Sequence, residues 1–170
     1  NLIHELIEFR RIETGNREVR VESLDVSSIV KGIAKTFVEM AKSRNITFLS
    51  KIPEQVMWNS DKGFLNTIII NLISNAFKYT PDGQSIKIEV DTNGENLLLL
   101  RVANEGSTIK EKDFQYIFNR YAILDNFENQ DEKNFSRNGL GLAISYNMAK
   151  LLNGTLKVEN TSDGWVMFTL

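Results

Sequence analysis

The chain has 170 residues, 42% of them hydrophobic and 25% charged, with 20 basic against 22 acidic side chains and a net charge of −2. That is enough for one domain with a real core plus an appendage, and it lacks the basic footprint of a nucleic-acid binder. The absence of cysteine and the single histidine, His4, exclude disulfides, thiol chemistry and most zinc sites, and a Cys-free chain is compatible with a reducing compartment. No apolar run approaches the ~20 residues needed to cross a bilayer. The chain opens on Asn1 without a signal-peptide pattern, so it is expected to be cut from something longer.

In chain order, Leu2, Ile3, Leu6, Ile7 and Phe9 to Ile12 predict the tail of an amphipathic helix, and the polar residues 15–25 a linker. A helix is expected from about Val26 to Arg44, capped by Asp25 or Ser27, with Ile29, Ile33, Phe37, Val38 and Ala41 facing inward. Short strands follow over Ile46–Ile52 and Val56–Trp58. A long helix from about Asp61 to Tyr79 stops before Pro81-Asp82-Gly83, a strong turn signal. Ile86, Ile88 and Val90 alternate at strand period, and Asn93-Gly94 turns that strand into another over Asn96–Ala103. A short helix is predicted over Lys110–Asn119. Residues 122–138 are rich in Asp, Glu and Asn without periodicity, which marks a functional or disordered loop. Gly139–Leu152 is helical, with Leu142, Ile144, Ala149 and Leu151 or Leu152 inward, and ends at Asn153-Gly154. Thr155–Glu159 and Trp165–Leu170 form a last hairpin across Ser162-Asp163-Gly164. Strands and helices interleaved with antiparallel hairpins predict a two-layer α/β sandwich, a mixed, mostly antiparallel sheet covered on one face by helices.

Three segments carry candidate chemistry. In the long helix, Asn71, Asn75 and Lys78 fall at i, i+4 and i+7 and share one face. Asn costs about half a kcal/mol or more relative to Ala inside a helix, so two of them one turn apart suggest a use. Carboxamide oxygens suit a hard cation such as Mg²⁺, and an ammonium suits phosphate; the same residues also fit an Asn-rich solvated face. Val102 to Ile109 places Asn104 and Gly106 at a strand end, where a flat ligand can approach the backbone. Asn138 to Ile144 opens a helix on Gly139 and Gly141, and free N–H groups at a helix start bind phosphate.

Taken in order, these segments resemble the boxes of the catalytic, ATP-binding domain of sensor histidine kinases, within the gyrase, chaperone, histidine kinase and mismatch-repair ATPases. Asn71 to Tyr79 resembles the N box, Val102 to Ile109 the first glycine box, Ile117 to Tyr121 the F box and Gly139 to Ile144 the second glycine box, with residues 122–138 as the ATP lid. Leu2 to Gly15 resembles the end of the second helix of the dimerisation and phosphoacceptor domain. The resemblance covers nearly the whole chain and implies a Bergerat-type fold. It divides the chain into that helix end (1–14), a linker (15–25) and the catalytic domain (26–170).

By resemblance, Asn75 would coordinate the Mg²⁺ that bridges the phosphates, Lys78 would contact phosphate, and Tyr79 would pack near the nucleotide. Asn104 would face the adenine amino group, Ile109 and Leu142 would wall the purine pocket, and Gly139 and Gly141 would let backbone N–H groups reach phosphate. Asn71, Gly106, Tyr121, Arg137 and Leu140 complete the expected ATP-binding set, with ATP and Mg²⁺ as the bound groups. The implied reaction is phosphoryl transfer from ATP to a histidine upstream of residue 1, in a two-component phosphorelay ending on a response regulator receiver domain. His4 lies in what matches the second helix and is expected to be an ordinary helix-surface residue, so no catalytic residue is assigned within the chain. The parent protein is expected to be a homodimer, cytoplasmic in this part and anchored to a membrane elsewhere, with no membrane or nucleic-acid contact by this segment.

Asn71 bears on the type of reaction, and three positions, Asn104, Thr108 and Arg137, depart from the pattern. In the hydrolysing relatives a Glu general base stands one turn before the Mg²⁺ Asn; Asn71 cannot accept a proton there, which favours a kinase over an ATPase. Asn104 stands where the family usually has Asp, and Thr108 where it has a second Gly. Asp→Asn removes a charge-assisted acceptor, roughly twice as strong as a neutral one, so a non-catalytic regulatory module with weak or no nucleotide binding is the alternative. Arg137 replaces the first Gly of the second box, where it could stiffen the lid or reach a phosphate.

Overall fold

The computed structural model describes residues 7, 10, 11, 18–92, 97–106, 138–161 and 165–169. Within them run β1 (Glu22–Asp25), α1 (Val26–Thr36), α2 (Val38–Ser43), β2 (Thr47–Lys51), β3 (Met57–Ser60), α3 (Lys62–Tyr79), β4 (Ser85–Thr92), β5 (Leu98–Glu105), α4 (Asn138–Leu151), β6 (Lys157–Asn160) and β7 (Trp165–Thr169). The main sheet has the order β2-β4-β5-β7-β6. Its β2–β4 pair is parallel and the other pairs are antiparallel, which is the mixed, mostly antiparallel sheet expected.

The alternation in β4 decides which face is covered. Ile86, Ile88 and Val90 are buried and lie opposite Asn104, Val102 and Leu100 of β5. Between them, Lys87, Glu89, Asp91 and Arg101 form ion pairs of 3.7–3.9 Å on the other face. Exposed pairs of that kind contribute little, but they identify the solvated side. Helices α3 and α4 pack together over the buried face.

Two helices end alike. Asn45 (φ 54) and Asn153 (φ 61) take the left-handed conformation. The next N–H reaches back five residues, from Ile46 to Ala41 O and from Gly154 to Ala149 O, each at 2.8 Å. This is the Schellman arrangement, with Asn rather than Gly in the left-handed position.

Three expectations change. The helix expected over Val26–Arg44 is two helices, broken at Phe37 (φ −97, ψ −3). Phe37 turns its ring flat onto Phe77, 5.3 Å between centroids, and Phe48 meets Phe77 edge-on. The buried stripe of α1 is Val26, Ser27 and Val30, with Ile29 and Ile33 at its margin. The polar segment expected as a linker ends in β1, which pairs antiparallel with β3 from Glu22↔Ser60 to Asp25↔Met57. Asp25 accepts from Ser28 N at 3.4 Å and from Val56 N at 3.3 Å, so one carboxylate caps α1 and fastens it to the approach to β3. Of the two leucines left open at the end of α4, Leu152 packs on the core and Leu151 is exposed, within the expectation. The first helix beyond Ile7, Arg10 and Arg11, the Lys110–Asn119 helix, His4 and both Gly-containing hairpin turns lie outside the described residues.

Candidate nucleotide site

The site is organised by α3. Asp61 caps it, accepting from Phe64 N at 3.0 Å through one carboxylate oxygen and from Arg20 N at 2.8 Å through the other. The helix then buries Phe64, Leu65, Ile68, Ile69, Leu72, Ile73 and Phe77. Asn71, Asn75 and Lys78 share one face, graded from half-buried through buried to exposed.

Asn75 is the most informative of them. It is 2% exposed, and neither Oδ1 nor Nδ2 has a hydrogen-bond partner among the described residues. A buried donor or acceptor left unpaired costs about 1–3 kcal/mol. A carboxamide oxygen held without a partner is suited to a hard cation, so the residues present fit Mg²⁺ carried on a nucleotide. Among the described residues no cluster of His, Cys, Asp or Glu forms a metal site.

Asn71 has a definite partner. Its Nδ2 donates to Oγ of Ser145 at 3.0 Å. Ser145 is fully buried on α4, so this bond ties the Asn-bearing helix to the helix that opens on Gly139, Leu140 and Gly141. Sequence reasoning missed Ser145, whose only signal is a hydroxyl four residues beyond the Gly-Leu-Gly run.

At the C-terminal end of α3, burial lowers the Lys78 ammonium from its ordinary 10.5 and raises the Tyr79 hydroxyl from 10.0. The Lys78 Nζ lies 5.4 Å from the ring centroid of Tyr79, which is half-exposed. The turn that follows closes through Gln84 N to Pro81 O at 3.2 Å, with Gly83 at φ 85.

Gly106 (φ 89) sits directly on that turn: a Cβ there would lie 3.0 Å from Pro81 Cδ. The first glycine segment is thereby seated against the end of the Asn-bearing helix. Asn104, 3% exposed, stands two residues earlier on β5, between Ile86 of β4 and Val166 of β7. Leu142 is buried on α4. Ile109, Tyr121, Arg137, Thr108 and the lid through residue 137 lie outside the described residues. A cavity of about 600 Å³ opens at the opposite end of α3, walled by Arg11, Arg20, Glu22, Asp61 and Lys62. Its wall residue nearest the site, Gly63, lies twelve helix residues, about 18 Å, from Asn75. Among the described residues no helix is long and apolar enough to cross a membrane.

The sheet, the Asn-bearing helix over it, and two glycine segments that meet that helix define a nucleotide-binding domain of the Bergerat type. The sequence profile of the family described as histidine kinase-, DNA gyrase B- and HSP90-like ATPases matches residues 60–170. The chain belongs to that family, and within it to the ATP-binding catalytic domains of sensor histidine kinases. It is 31% identical to histidine kinase P4 of Formosa agariphila over 159 residues, which is 92% of this chain and 12% of that protein. It therefore spans about an eighth of that relative's length. The fold matches that of full-length ShkA in complex with AMPPNP, with TM-score 0.80, 19% identity, 99% of this chain and 34% of that one. It also matches histidine kinase ThkA in complex with the response regulator TrrA, with TM-score 0.73, 21% identity, 99% of this chain and 47% of that one.

Proposed function

We propose that this domain binds Mg²⁺-ATP and donates the γ-phosphate to a histidine on the dimerisation and phosphoacceptor domain preceding it, from which a response regulator receiver domain takes the phosphate. The observation that carries this reading is Asn75, a buried carboxamide with both polar atoms unpartnered. A domain that bound no nucleotide would gain stability by replacing it. The nucleotide in the ShkA complex and the regulator in the ThkA complex support the same reading for their relatives.

In this mechanism the histidine nitrogen attacks the γ-phosphorus and the bond to the β–γ bridging oxygen breaks, releasing ADP. Catalysis of that step is mostly positioning and charge neutralisation. Asn75 would hold Mg²⁺, which would supply positive charge against the phosphates. Lys78 adds an ammonium at the phosphates, and the N–H groups of Gly139, Leu140 and Gly141 at the start of α4 add donors there. Tyr79, Leu142 and Gly106 line the nucleotide, with Ile109, Tyr121 and Arg137 from the segments around the lid. Asn71 carries no proton-accepting group and its amide is engaged by Ser145, so no side chain at that position activates water. The parent protein acts as a homodimer, and this part faces the cytoplasm beneath a membrane anchor.

Asn104 favours a second reading, a regulatory module with weak nucleotide binding, because a neutral carboxamide is buried where the family usually has a carboxylate. One measurement separates the two. Ligand at 100 times its Kd adds about 2.7 kcal/mol to stability, so a Mg²⁺-dependent rise in melting temperature with ATP is expected. No shift at millimolar ATP would leave the regulatory module standing. Transfer of γ-phosphate label to the separately supplied phosphoacceptor domain completes the test.

A further inference from the structure

We propose that Arg44, which lies outside every segment that resembles a nucleotide-binding box, is a positioning residue of the site: its guanidinium holds the C-terminal end of α3 in register with the phosphates. The proposal rests on the reading of the domain as an ATP binder. All three guanidinium nitrogens are used. Nη1 donates to Phe77 O, Nη2 to Thr80 O at 2.5 Å, and Nε to Asp82 Oδ1 at 2.7 Å. The Arg44 carbonyl in turn accepts from Gly83 N at 3.2 Å.

Phe77 and Thr80 flank Lys78 and Tyr79, so the clamp fixes the backbone on both sides of the two residues expected at the nucleotide. The Phe77 carbonyl belongs to the last turn of α3, where helix carbonyls lack intrahelical partners, and the Thr80 carbonyl to its C-cap. A helix C-terminus carries a partial negative charge of about half an electron, which would repel a triphosphate held beside Lys78. A guanidinium placed on those carbonyls offsets it. The clamp also sets the height of the turn: Thr80 is tied back to Ala76 O by its N–H at 3.0 Å and by its hydroxyl, and Pro81, next in the chain, is the surface on which Gly106 rests. Arg44 is itself held in place because Asn45 closes the end of α2 in the left-handed conformation. Lysine, a single ammonium without the planar fork, could reach one of the acceptors but not satisfy three.

The test compares Arg44→Met, Arg44→Lys and Asp82→Asn with the wild-type chain, measuring affinity for adenosine, AMP, ADP and ATP with Mg²⁺ at 25 °C by calorimetry, with folding checked by circular dichroism. A positioning role at the phosphates makes the loss grow with phosphate number. Arg44→Met is expected to weaken ATP about tenfold, equivalent to about 1.4 kcal/mol, while adenosine changes little. Arg44→Lys falls between, and Asp82→Asn, whose carboxylate is mostly exposed, stays near wild type. If Arg44→Met does not fold, the same gradient in Arg44→Lys decides. An equal loss for adenosine and ATP, or none for either, overturns the proposal and leaves the contact purely structural. Wild-type chain that binds no ATP fails the functional reading and takes this proposal with it, whereas wild-type binding that Arg44→Met leaves intact fails the proposal alone.

Discussion

The unpartnered carboxamide of Asn75 makes a prediction with opposite signs in the free and bound states. In Asn75→Ala the buried amide disappears, relieving about 2 kcal/mol on the range for unpaired buried polar groups. Ala also gains about 0.6 kcal/mol of helix propensity over Asn. Against this, a void of about one water, about 30 Å³, costs about 0.7 kcal/mol at about 24 cal/mol per Å³. The net is a gain of about 2 kcal/mol, or about 4–8 °C for a chain of this length. With Mg²⁺ and ATP at 100 times its Kd the wild type gains about 2.7 kcal/mol, and the variant, lacking its cation donor, gains little. The melting temperatures of the two proteins therefore change order on adding nucleotide. Thermal unfolding followed by circular dichroism, with and without Mg²⁺-ATP, checks both halves. A free variant that melts below the free wild type would show that the carboxamide is well satisfied. A variant that keeps the Mg²⁺-dependent shift would show that Asn75 is not the donor.

Three further outcomes are expected. Asn104→Asp restores a charge-assisted acceptor, so it should tighten ATP and sharpen preference for adenine over guanine nucleotides in a competition assay; unchanged selectivity would refute the role assigned to Asn104. Asn71→Glu should raise ATP hydrolysis, because a carboxylate can accept both a proton from water and the Ser145 hydroxyl hydrogen, and adding Ser145→Ala should reduce that gain; colorimetric phosphate release measures both. Burial holds the Lys78 pKa below 10.5, so the ammonium is lost earlier than in a solvated lysine, and ATP affinity should fall as pH rises toward that value. The unfolded chain then holds more protons than the folded one, so this same group adds stability as pH rises through the window. Lys78→Arg, charged throughout, should flatten the affinity profile measured by titration calorimetry.

What could be read from the sequence was local. The apolar stripe and the Pro81-Asp82-Gly83 stop are both within one helix length, and they placed α3 to within a residue at its start, where Asp61 is the cap, and at its last residue. Strand β4 followed from period-two alternation with one polar face, and β5 from the Asn93-Gly94 turn signal that follows it. What could not be read was set by partners far along the chain. At the break, Phe37 stacks on the ring of Phe77, forty residues away. β1 is polar enough to pass for linker, and only the β3 ladder makes it a strand. Asn71 is paired with Ser145 across 74 positions, and Arg44 acts on the end of a helix other than its own. Periodicity and capping signals carry no information about such pairings.

The energetics of α3 explain why a site built from poor helix residues is placed on this helix. Asn71 and Asn75 cost about half a kcal/mol each or more, and the unpaired carboxamide adds about 1–3 kcal/mol. Against these costs, Phe64, Leu65, Ile68, Ile69, Leu72, Ile73 and Phe77 are each no more than 3% exposed. At about 1.5–3 kcal/mol for each buried large apolar side chain, they supply roughly 10–20 kcal/mol, an upper range because unfolded chains already bury some surface. The margin is several-fold, so α3 can keep a misfit polar face without fraying, and Asp61 and Arg44 bind its two ends to β1's approach and to the turn under Gly106. An exposed helix of the same sequence would have no such margin. The unpaired carboxamide of Asn75 can be kept here because the rest of the helix is the core of the domain.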